Sequence, residues 1–358
     1  MRFFKILCLA LVFTLFLTGC APAVNGNLLP QTPTKPLPKN ELPTSSNPQE
    51  GNQTLPLQND NPDGQGVLHF TVMVHLEGWD DEGNEDGFRR HAQMLREYAA
   101  LFEKYGAKLT LESKEFTAGC LQWSDNVLLE LEQRGHGIGV HADIGGNKRT
   151  TQQEINVGIL QMKQELESLG VSVRHISGVC SDKDWVAACL NAGFEATTGT
   201  VSYSLWSLDE QFRPDGFEPY ENPGEGHSPY PWIDALSITP WYADSGADWI
   251  FPKDSGLLII PSGIALTAAY ENATESGNGA GTFVFDEKDI DIWRQKLDEV
   301  LMYTDSGVVN TYYAAYSFGS PMDIIVLEQW LALIDEYVQD GRIVWSTIPE
   351  MIDLYYAQ

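Results

Sequence analysis

The sequence predicts an α/β fold, a distorted (β/α) barrel of seven or eight strands that forms a single domain. From Val67 onward, short apolar runs alternate with helical repeats seven or eight times. Such alternation is typical of a parallel sheet with helices outside it. The number of units and the length of this region favour a barrel over an open sheet, and the region is long enough to bury a large core.

Apolar runs predict the strands. Most are short and rich in aliphatic residues, as expected where both faces of a strand are covered. The strands are predicted at residues 68–77, 107–111, 138–141, 174–179, 195–200, 257–260, 308–313 and 342–345.

Helical periodicity predicts the elements between the strands. The first helix carries apolar residues every three or four positions and ends at Gly106, and Ser124 is expected to cap the second. Thr151 and Glu154 form the pattern of a capping box that opens the third. The helices are predicted at 88–105, 124–134, 151–169, 182–192, 287–303, 322–339 and 349–356, and 202–256 is expected to be irregular.

The amino-terminal region has the pattern of an export signal followed by a tether. Residues 1–19 combine a basic start with a short apolar run, and the sequence Leu17-Thr18-Gly19-Cys20 resembles a bacterial lipobox. The resemblance implies a lipidated Cys20 and an extracytoplasmic protein anchored to a membrane surface. Residues 20–66 contain nine prolines and no aromatic residue, so we expect a disordered tether before the 67–358 domain.

The composition narrows the choice of partner. With 22 Lys and Arg against 50 Asp and Glu, the formal net charge is −28, which repels phosphate backbones and argues against nucleic acid as a partner. Neutral or cationic polymers, including amino-sugar polymers, remain compatible. Cys120, Cys180 and Cys189 allow one disulfide and leave the pairing open.

Candidate metal ligands follow two of the predicted strands. His75 and Glu77 alternate onto one face at the end of the first strand, and His141 ends the third. Two histidines and a carboxylate around an open position suit zinc or a similar divalent metal. The alternative is structural, with His75 in a polar pocket and Glu77 paired with a buried cation. In a barrel, Glu112 and Cys180 also fall at the carboxyl ends of strands.

Several segments resemble the polysaccharide deacetylases of the NodB-homology type. The run 133–146, with His136 and His141 among its glycines, is similar to the motif that supplies a metal-binding histidine in that family. Residues 74–78 stand where the family has Thr-Phe-Asp-Asp-Gly, and 341–347 is similar to the end of these domains. The resemblance implies a metal-dependent hydrolase that removes acetyl groups from a polysaccharide.

The same alignment of motifs shows departures from the family pattern. The position of the general base falls on Leu76 and that of the carboxylate ligand on Glu77, while the second motif histidine falls on Gly145. The segment that begins at Arg174 lacks the family's proline. Where the family has a late catalytic histidine, this chain offers only tyrosines, which are Tyr312, Tyr313 and Tyr316.

The resemblance and the residues together predict the following site. The metal ligands are Glu77, His141 and His75, and the base comes from Asp80, Asp81 or Asp143. Sugar contacts are predicted for Trp206 and Trp232, in a stretch with eleven aromatic residues, and for Tyr312 and Tyr313. His227 is a candidate for the missing ligand.

Two other functions remain open at this stage. The first is a catalytically degenerate carbohydrate-binding lipoprotein with the same fold. The second, a glycoside hydrolase with paired carboxylates, is less favoured because no pattern singles out a pair.

Overall fold

The structure, a computed structural model, describes residues 65–144, 150–179, 181–200, 202–213, 238–261, 263–267, 269, 285–320 and 322–358. The predicted export signal, Cys20 and nearly all of the tether lie outside these residues, as do Cys180, Trp232 and His227. Among the described helices, none combines the length and the apolar composition needed to cross a membrane.

Ten strands form one sheet in the described part of the chain. They are β1 (Leu68–Leu76), β2 (Leu109–Ser113), β3 (Gly137–His141), β4 (His175–Ser177), β5 (Ala196–Thr197), β6 (Trp241–Ala243), β7 (Leu257–Ile259), β8 (Ile264–Ala265), β9 (Asn310–Ser317) and β10 (Ile343–Trp345). Their order is β6-β7-β5-β4-β3-β2-β1-β9-β8, and β10 pairs with β1. Strand β1 pairs with β9 on one edge and with β10 and then β2 on the other.

The sheet confirms the predicted α/β class. Every pair of strands is parallel except β6 with β7, and helices connect most of the strands. Among the described strands the sheet does not close, and β6 and β8 are its two ends. The architecture is therefore an open, distorted version of the predicted barrel, in which the carboxyl ends of the parallel strands share one edge.

Eight α-helices belong to the described residues. They are α1 (Glu85–Glu103), α2 (Phe116–Trp123), α3 (Val127–Gln133), α4 (Gln152–Glu167), α5 (Trp185–Asn191), α6 (Glu287–Leu301), α7 (Ile324–Gln339) and α8 (Ile348–Tyr356). Two short 3-10 helices follow β5, at Ser202–Ser207 and Glu210–Phe212.

The helix caps confirm one sequence prediction and correct another. Thr151 and Glu154 form the predicted capping box of α4. Ser124 does not cap the second predicted helix. It ends α2, a helix that the sequence did not predict, with a left-handed φ of 52°. Asn126 caps α3 instead, because its side-chain oxygen accepts a hydrogen bond from the N–H of Leu129 at 3.1 Å.

An aromatic cluster fills the core beside β1. The ring centroid of Phe70 lies 6.0 Å from that of Trp293, 6.2 Å from that of Trp330 and 6.4 Å from that of Tyr312. All four side chains are buried, and the edge-to-face contact of Trp293 with Trp330 is of the favourable type. This cluster packs α6 and α7 against the sheet.

Two cysteines of the domain belong to the described residues. Cys120 lies in α2 and Cys189 in α5, and both are buried. Burial raises the pKa of Cys120 to about 12. Cys180 lies outside the described residues, so the disulfide pairing that the sequence left open stays open.

Candidate metal centre

The register of three strands brings the candidate ligands together. His75 of β1 is paired with Glu112 of β2, and Glu112 is paired with Gly139 of β3. His141 follows Gly139 by two residues and therefore lies on the same face of β3, one step closer to the carboxyl edge. Parallel pairing thus places two imidazoles and a buried carboxylate at the same edge of the sheet.

The ligand atoms of this cluster are close enough to share an ion. One ligand atom each from His75, Glu112 and His141 lies within 4.8 Å of the others. Nε2 of His75 is 3.1 Å from Oε2 of Glu112, and Nε2 of His141 is 3.2 Å from Oε2 of Glu77. Two atoms bound to one zinc ion at about 2.0–2.2 Å are roughly 3–4 Å apart, so both separations suit neighbouring ligands.

Glu112 is a site residue that the sequence did not assign as a ligand. Its side chain is completely buried, and the sequence predicts only that it falls at the carboxyl end of a strand. The available signal was a single acidic residue directly after Leu109 and Leu111 in β2, because a fully buried carboxylate is uncommon without a partner.

Three side chains surround the carboxylate of Glu112 besides His75. Ser177 donates to Oε2 at 2.5 Å, Thr198 donates to Oε1 at 2.7 Å, and Nε2 of His175 lies 3.4 Å from Oε1. Burial acts to raise the pKa of Glu112, but the neighbouring His175 and His75 outweigh it and hold the pKa below its usual range. Glu112 is therefore a fixed, ionised carboxylate inside the sheet.

A close packing contact explains why residue 139 is glycine. A Cβ atom at Gly139 would lie 2.2 Å from Nε2 of His175. The imidazole of His175 occupies the space that any other residue at position 139 would need. The glycine-rich sequence before His141 thus accommodates a buried histidine from the next strand.

The hydrogen bonds of His141 require more protons than a neutral imidazole carries. Ser177 has one hydroxyl hydrogen and donates it to Glu112, so Nδ1 of His141, at 2.8 Å from the same oxygen, must donate to Ser177. Nε2 of His141 lies 3.2 Å from Oε2 of Glu77, and the hydrogen bond between them lowers the pKa of Glu77 to about 2. That hydrogen bond requires a second proton on His141, on Nε2. Burial, followed by the nearby His75, instead lowers the pKa of His141 and favours the neutral ring.

A cation between Nε2 of His141 and Glu77 resolves this conflict. With Nδ1 protonated and the ring neutral, a nitrogen lone pair faces an ionised carboxylate at 3.2 Å. Nε2 of His75 is also buried, and although it lies 3.1 Å from Oε2 of Glu112 it makes no well-directed hydrogen bond. The two imidazoles and the carboxylate of Glu112, whose ligand atoms lie within 4.8 Å of one another, therefore fit a divalent metal such as zinc in type, and Glu77 adjoins this group through His141.

The two histidine rings are closer together than they would be on one ion. The rings of His75 and His141 stack with centroids 4.0 Å apart and an interplanar angle of 19°. Two imidazoles that bind one ion through bonds of about 2.0 Å have ring centres about 5 Å apart at tetrahedral angles. Metal binding therefore requires the two rings to move apart by about 1 Å.

The three residues predicted as the base all have partners. Asp80 accepts a hydrogen bond from the N–H of Gly83, and the buried Asp81 lies 2.7 Å from Nδ1 of His91. Burial raises the pKa of Asp81. Asp143 is exposed, and its carboxylate lies 2.8 Å from Nζ of Lys114.

Gly178 packs against both Asp143 and His141. A Cβ atom at Gly178 would lie 2.6 Å from the backbone nitrogen of Asp143 and 3.1 Å from Cε1 of His141. Asp143 itself adopts a left-handed φ of 44°, which is unusual for a residue other than glycine. Of the three predicted base residues, Asp143 is the one whose described contacts adjoin the cluster.

The described residues predicted to contact sugar lie in the interior. Tyr312 belongs to the aromatic core, and Trp206, in the first 3-10 helix, is also buried. Tyr313 is 1% exposed, and its hydroxyl accepts a hydrogen bond from the N–H of Gly199 at 2.8 Å. Trp232 lies outside the described residues. The described part of the chain therefore offers no stacking surface at these three positions.

Comparison with known proteins identifies the fold from solved structures. No protein-family model matches the chain, and no curated protein matches it either. A structure described as a polysaccharide deacetylase from Mycobacterium smegmatis is 13% identical, with a TM-score of 0.51, and the alignment covers 83% of this chain and 92% of that one. A second, from Pseudomonas aeruginosa PAO1, is 11% identical with a TM-score of 0.52 and coverages of 81% and 91%.

The chain has the fold of the polysaccharide deacetylases. At these identities the likeness concerns the fold, which agrees with the resemblance inferred from the sequence motifs. Puue allantoinase has the same fold at 11% identity, with a TM-score of 0.52 and coverages of 83% and 92%. One polysaccharide-deacetylase-like fold thus serves proteins with different names and activities, so function must be argued from the site.

Proposed function

We propose that the protein is a metal-dependent hydrolase that cleaves the amide bond of N-acetyl groups on a cell-surface or cell-wall polysaccharide. The observation that carries this proposal is the convergence of His75, Glu112 and His141 within 4.8 Å, with Glu77 beside His141. The polysaccharide-deacetylase-like fold supports the choice of substrate class.

Three side chains would hold the ion, which is zinc or a similar divalent metal. His75 and His141 would supply Nε2, and Glu112 would supply a carboxylate oxygen. Glu77 lies beside His141 and adds a second carboxylate there. When bound, the ion would polarise the amide carbonyl and lower the pKa of a water molecule beside it. The charges of Glu112 and Glu77 balance a divalent ion, which makes a dicationic site acceptable at a partly buried position.

Asp143 is the residue that we assign as the general base. Its carboxylate is exposed at the carboxyl edge of the sheet, and its backbone adjoins His141. Lys114 binds Oδ2 and leaves Oδ1 to accept a proton from the attacking water. Asp80 and Asp81 are less suited, because the first accepts a turn hydrogen bond and the second is buried against His91.

The proposed location is extracytoplasmic. The lipobox-like sequence at Cys20 and the proline-rich tether support a domain that is held away from a membrane surface by a lipid anchor. The net charge of −28 suits an amino-sugar polymer, which becomes cationic as acetyl groups are removed.

Metal content and acetate release test the proposal together. Protein purified without a chelator or histidine tag should contain one equivalent of a divalent metal and release acetate from an acetylated glucosamine polymer. Removal of the metal should abolish release, and re-addition should restore it. Wild-type protein that takes up no divalent metal from solutions of zinc, cobalt or manganese contradicts the proposal.

A second candidate is a carbohydrate-binding protein that has lost the chemistry. The stacked rings of His75 and His141 and the existing partners of Asp80, Asp81 and Asp143 favour it. This candidate predicts polymer binding that is unchanged when Glu77 or His141 is replaced. The enzyme predicts that Glu77→Gln and His141→Ala lose metal and acetate release together.

A further inference from the structure

Ser177 connects the two halves of the metal centre. It lies on β4, is completely buried, and is paired in register with His141 of β3. Its hydroxyl oxygen is 2.8 Å from Nδ1 of His141 and 2.5 Å from Oε2 of Glu112. One buried hydroxyl thus contacts a histidine and a carboxylate that come from two other strands.

The direction of both hydrogen bonds follows from counting hydrogens. The hydroxyl of Ser177 donates its single hydrogen to Oε2 of Glu112 at 2.5 Å. The hydroxyl oxygen can then only accept from His141, which places a proton on Nδ1. The other nitrogen, Nε2, is left free to bind an ion on the side of Glu77.

Thr198 provides a contrast within the same network. It donates to the other oxygen of Glu112, Oε1, at 2.7 Å and is likewise buried. Thr198 therefore holds the carboxylate but has no described contact with His141. The effects of the two hydroxyls on the carboxylate and on the imidazole can be separated experimentally.

We propose that Ser177 is a positioning residue that fixes the Nδ1–H tautomer of His141 and, through the same hydroxyl, the orientation of Glu112. It thereby presents one nitrogen and one carboxylate oxygen to a divalent metal. This inference rests on the proposed metal site and adds the residue that prepares two of its ligands. Groups that orient metal ligands typically change metal affinity by about 10- to 100-fold when they are removed.

The test uses Ser177→Ala and Thr198→Val in the full chain. Nitrogen-15 NMR of histidine-labelled protein reports the tautomer of His141, and competition with a chelator reports the zinc affinity. We expect the Nδ1–H form in the wild type and in Thr198→Val, and a mixture of tautomers in Ser177→Ala. Zinc affinity should fall by about 10- to 100-fold in Ser177→Ala, and Ser177→Thr, which keeps the hydroxyl, should retain most of it.

His136 is an internal reference for the NMR measurement. The N–H of Leu109 donates to Nδ1 of His136 at 3.0 Å, so that ring carries its proton on Nε2, opposite to His141. Its signals should be the same in all variants. If Ser177→Ala does not fold, Ser177→Cys, whose thiol is a weaker donor, should give an intermediate loss of affinity and a partial change of tautomer.

The outcomes separate this inference from the proposed function. Unchanged His141 signals and unchanged zinc affinity in folded Ser177→Ala overturn the positioning role. A wild type that binds no zinc, cobalt or manganese overturns the proposed function, whereas the tautomer measurement still decides whether Ser177 sets the proton on His141.

Discussion

Oε2 of Glu77 lies 3.2 Å from Nε2 of His141, on the side of the imidazole opposite to Ser177. Because Ser177 requires a proton on Nδ1, the contact with an ionised Glu77 is favourable only if Nε2 carries a second proton or binds a cation. Burial disfavours the doubly protonated ring. Together with the convergence of His75, Glu112 and His141, this contact supports a metal centre over a simple network of hydrogen bonds.

Replacing Glu112 should remove the metal without unfolding the protein in the metal-free state. Glu112→Gln keeps the shape of the side chain but removes the charge that balances the ion. We expect zinc affinity to fall by more than the roughly 10- to 100-fold typical of outer-shell groups, as measured by chelator competition. Glu103→Gln is the matched control, because Glu103 pairs with Arg134 and His136 away from the cluster and should leave zinc affinity unchanged. Equal affinities in the two variants would contradict the assignment of Glu112 as a ligand.

Metal binding should separate the rings of His75 and His141. Their stacked arrangement, at 4.0 Å between centroids, is too close for two imidazoles on one ion. Ring-current shifts between the two histidines should therefore decrease on addition of zinc, and a crystal structure with zinc should show centroids about 5 Å apart. Stacking that persists with zinc bound would mean that only one of the two rings is a ligand.

Burial of His136 should make the protein less stable in mild acid. Burial lowers the pKa of His136, so below the unfolded value of 6.5 the unfolded state binds more protons than the folded state. Its contribution to stability is therefore complete above pH 6.5 and is lost as the pH falls toward the lowered folded pKa. The free energy of unfolding can change by up to about 1.4 kcal/mol per pH unit for each additional proton that the unfolded state binds.

His136→Gln tests this pH dependence. The glutamine can still accept from Leu109 and donate to Glu103 but does not titrate. Urea unfolding between pH 6.5 and 5 should show a shallower loss of stability in the variant. Some loss of stability with falling pH should remain in the variant, because burial also lowers the pKa of His69. Identical slopes in the two proteins would show that His136 does not contribute.

The buried thiol of Cys120 should be protected from alkylation in the folded protein. Burial raises the pKa of Cys120 to about 12, so almost none of it is thiolate at pH 8. Mass spectrometry after iodoacetamide treatment should find Cys120 unmodified without denaturant and modified in its presence. Modification of Cys120 in the native protein at a rate like that of a free peptide thiol would contradict this placement.

Tyr312 should contribute to stability. Its ring packs against Phe70 and Trp293 in the core, so Tyr312→Ala should lower the free energy of unfolding by about 3–5 kcal/mol, the range for large aromatic truncations. Val344→Ala, at an exposed position on β10, is the control and should lower the free energy of unfolding much less. Denaturant unfolding of both variants measures the difference. An unfolding free energy unchanged in Tyr312→Ala would contradict a core position.

The sequence by itself determined the α/β class, most of the helices, and the positions of His75, Glu77 and His141 at strand ends. These features depend on local periodicity, on capping residues such as Thr151, and on the alternation of side chains along a strand, all of which are properties of neighbouring residues. The motif resemblance also agreed with the fold of the solved structures.

Only the tertiary structure decided which of these residues act together. Glu112 entered the cluster because the register of β2 places it beside both His75 and Gly139, and no local pattern specifies the pairing of strands that are far apart in the sequence. Tyr312 was placed in the core for the same reason, since packing against Trp293 depends on how α6 docks on the sheet. The proton on His141 depends on a serine 36 residues away, and that hydrogen bond exists only once β3 and β4 have paired.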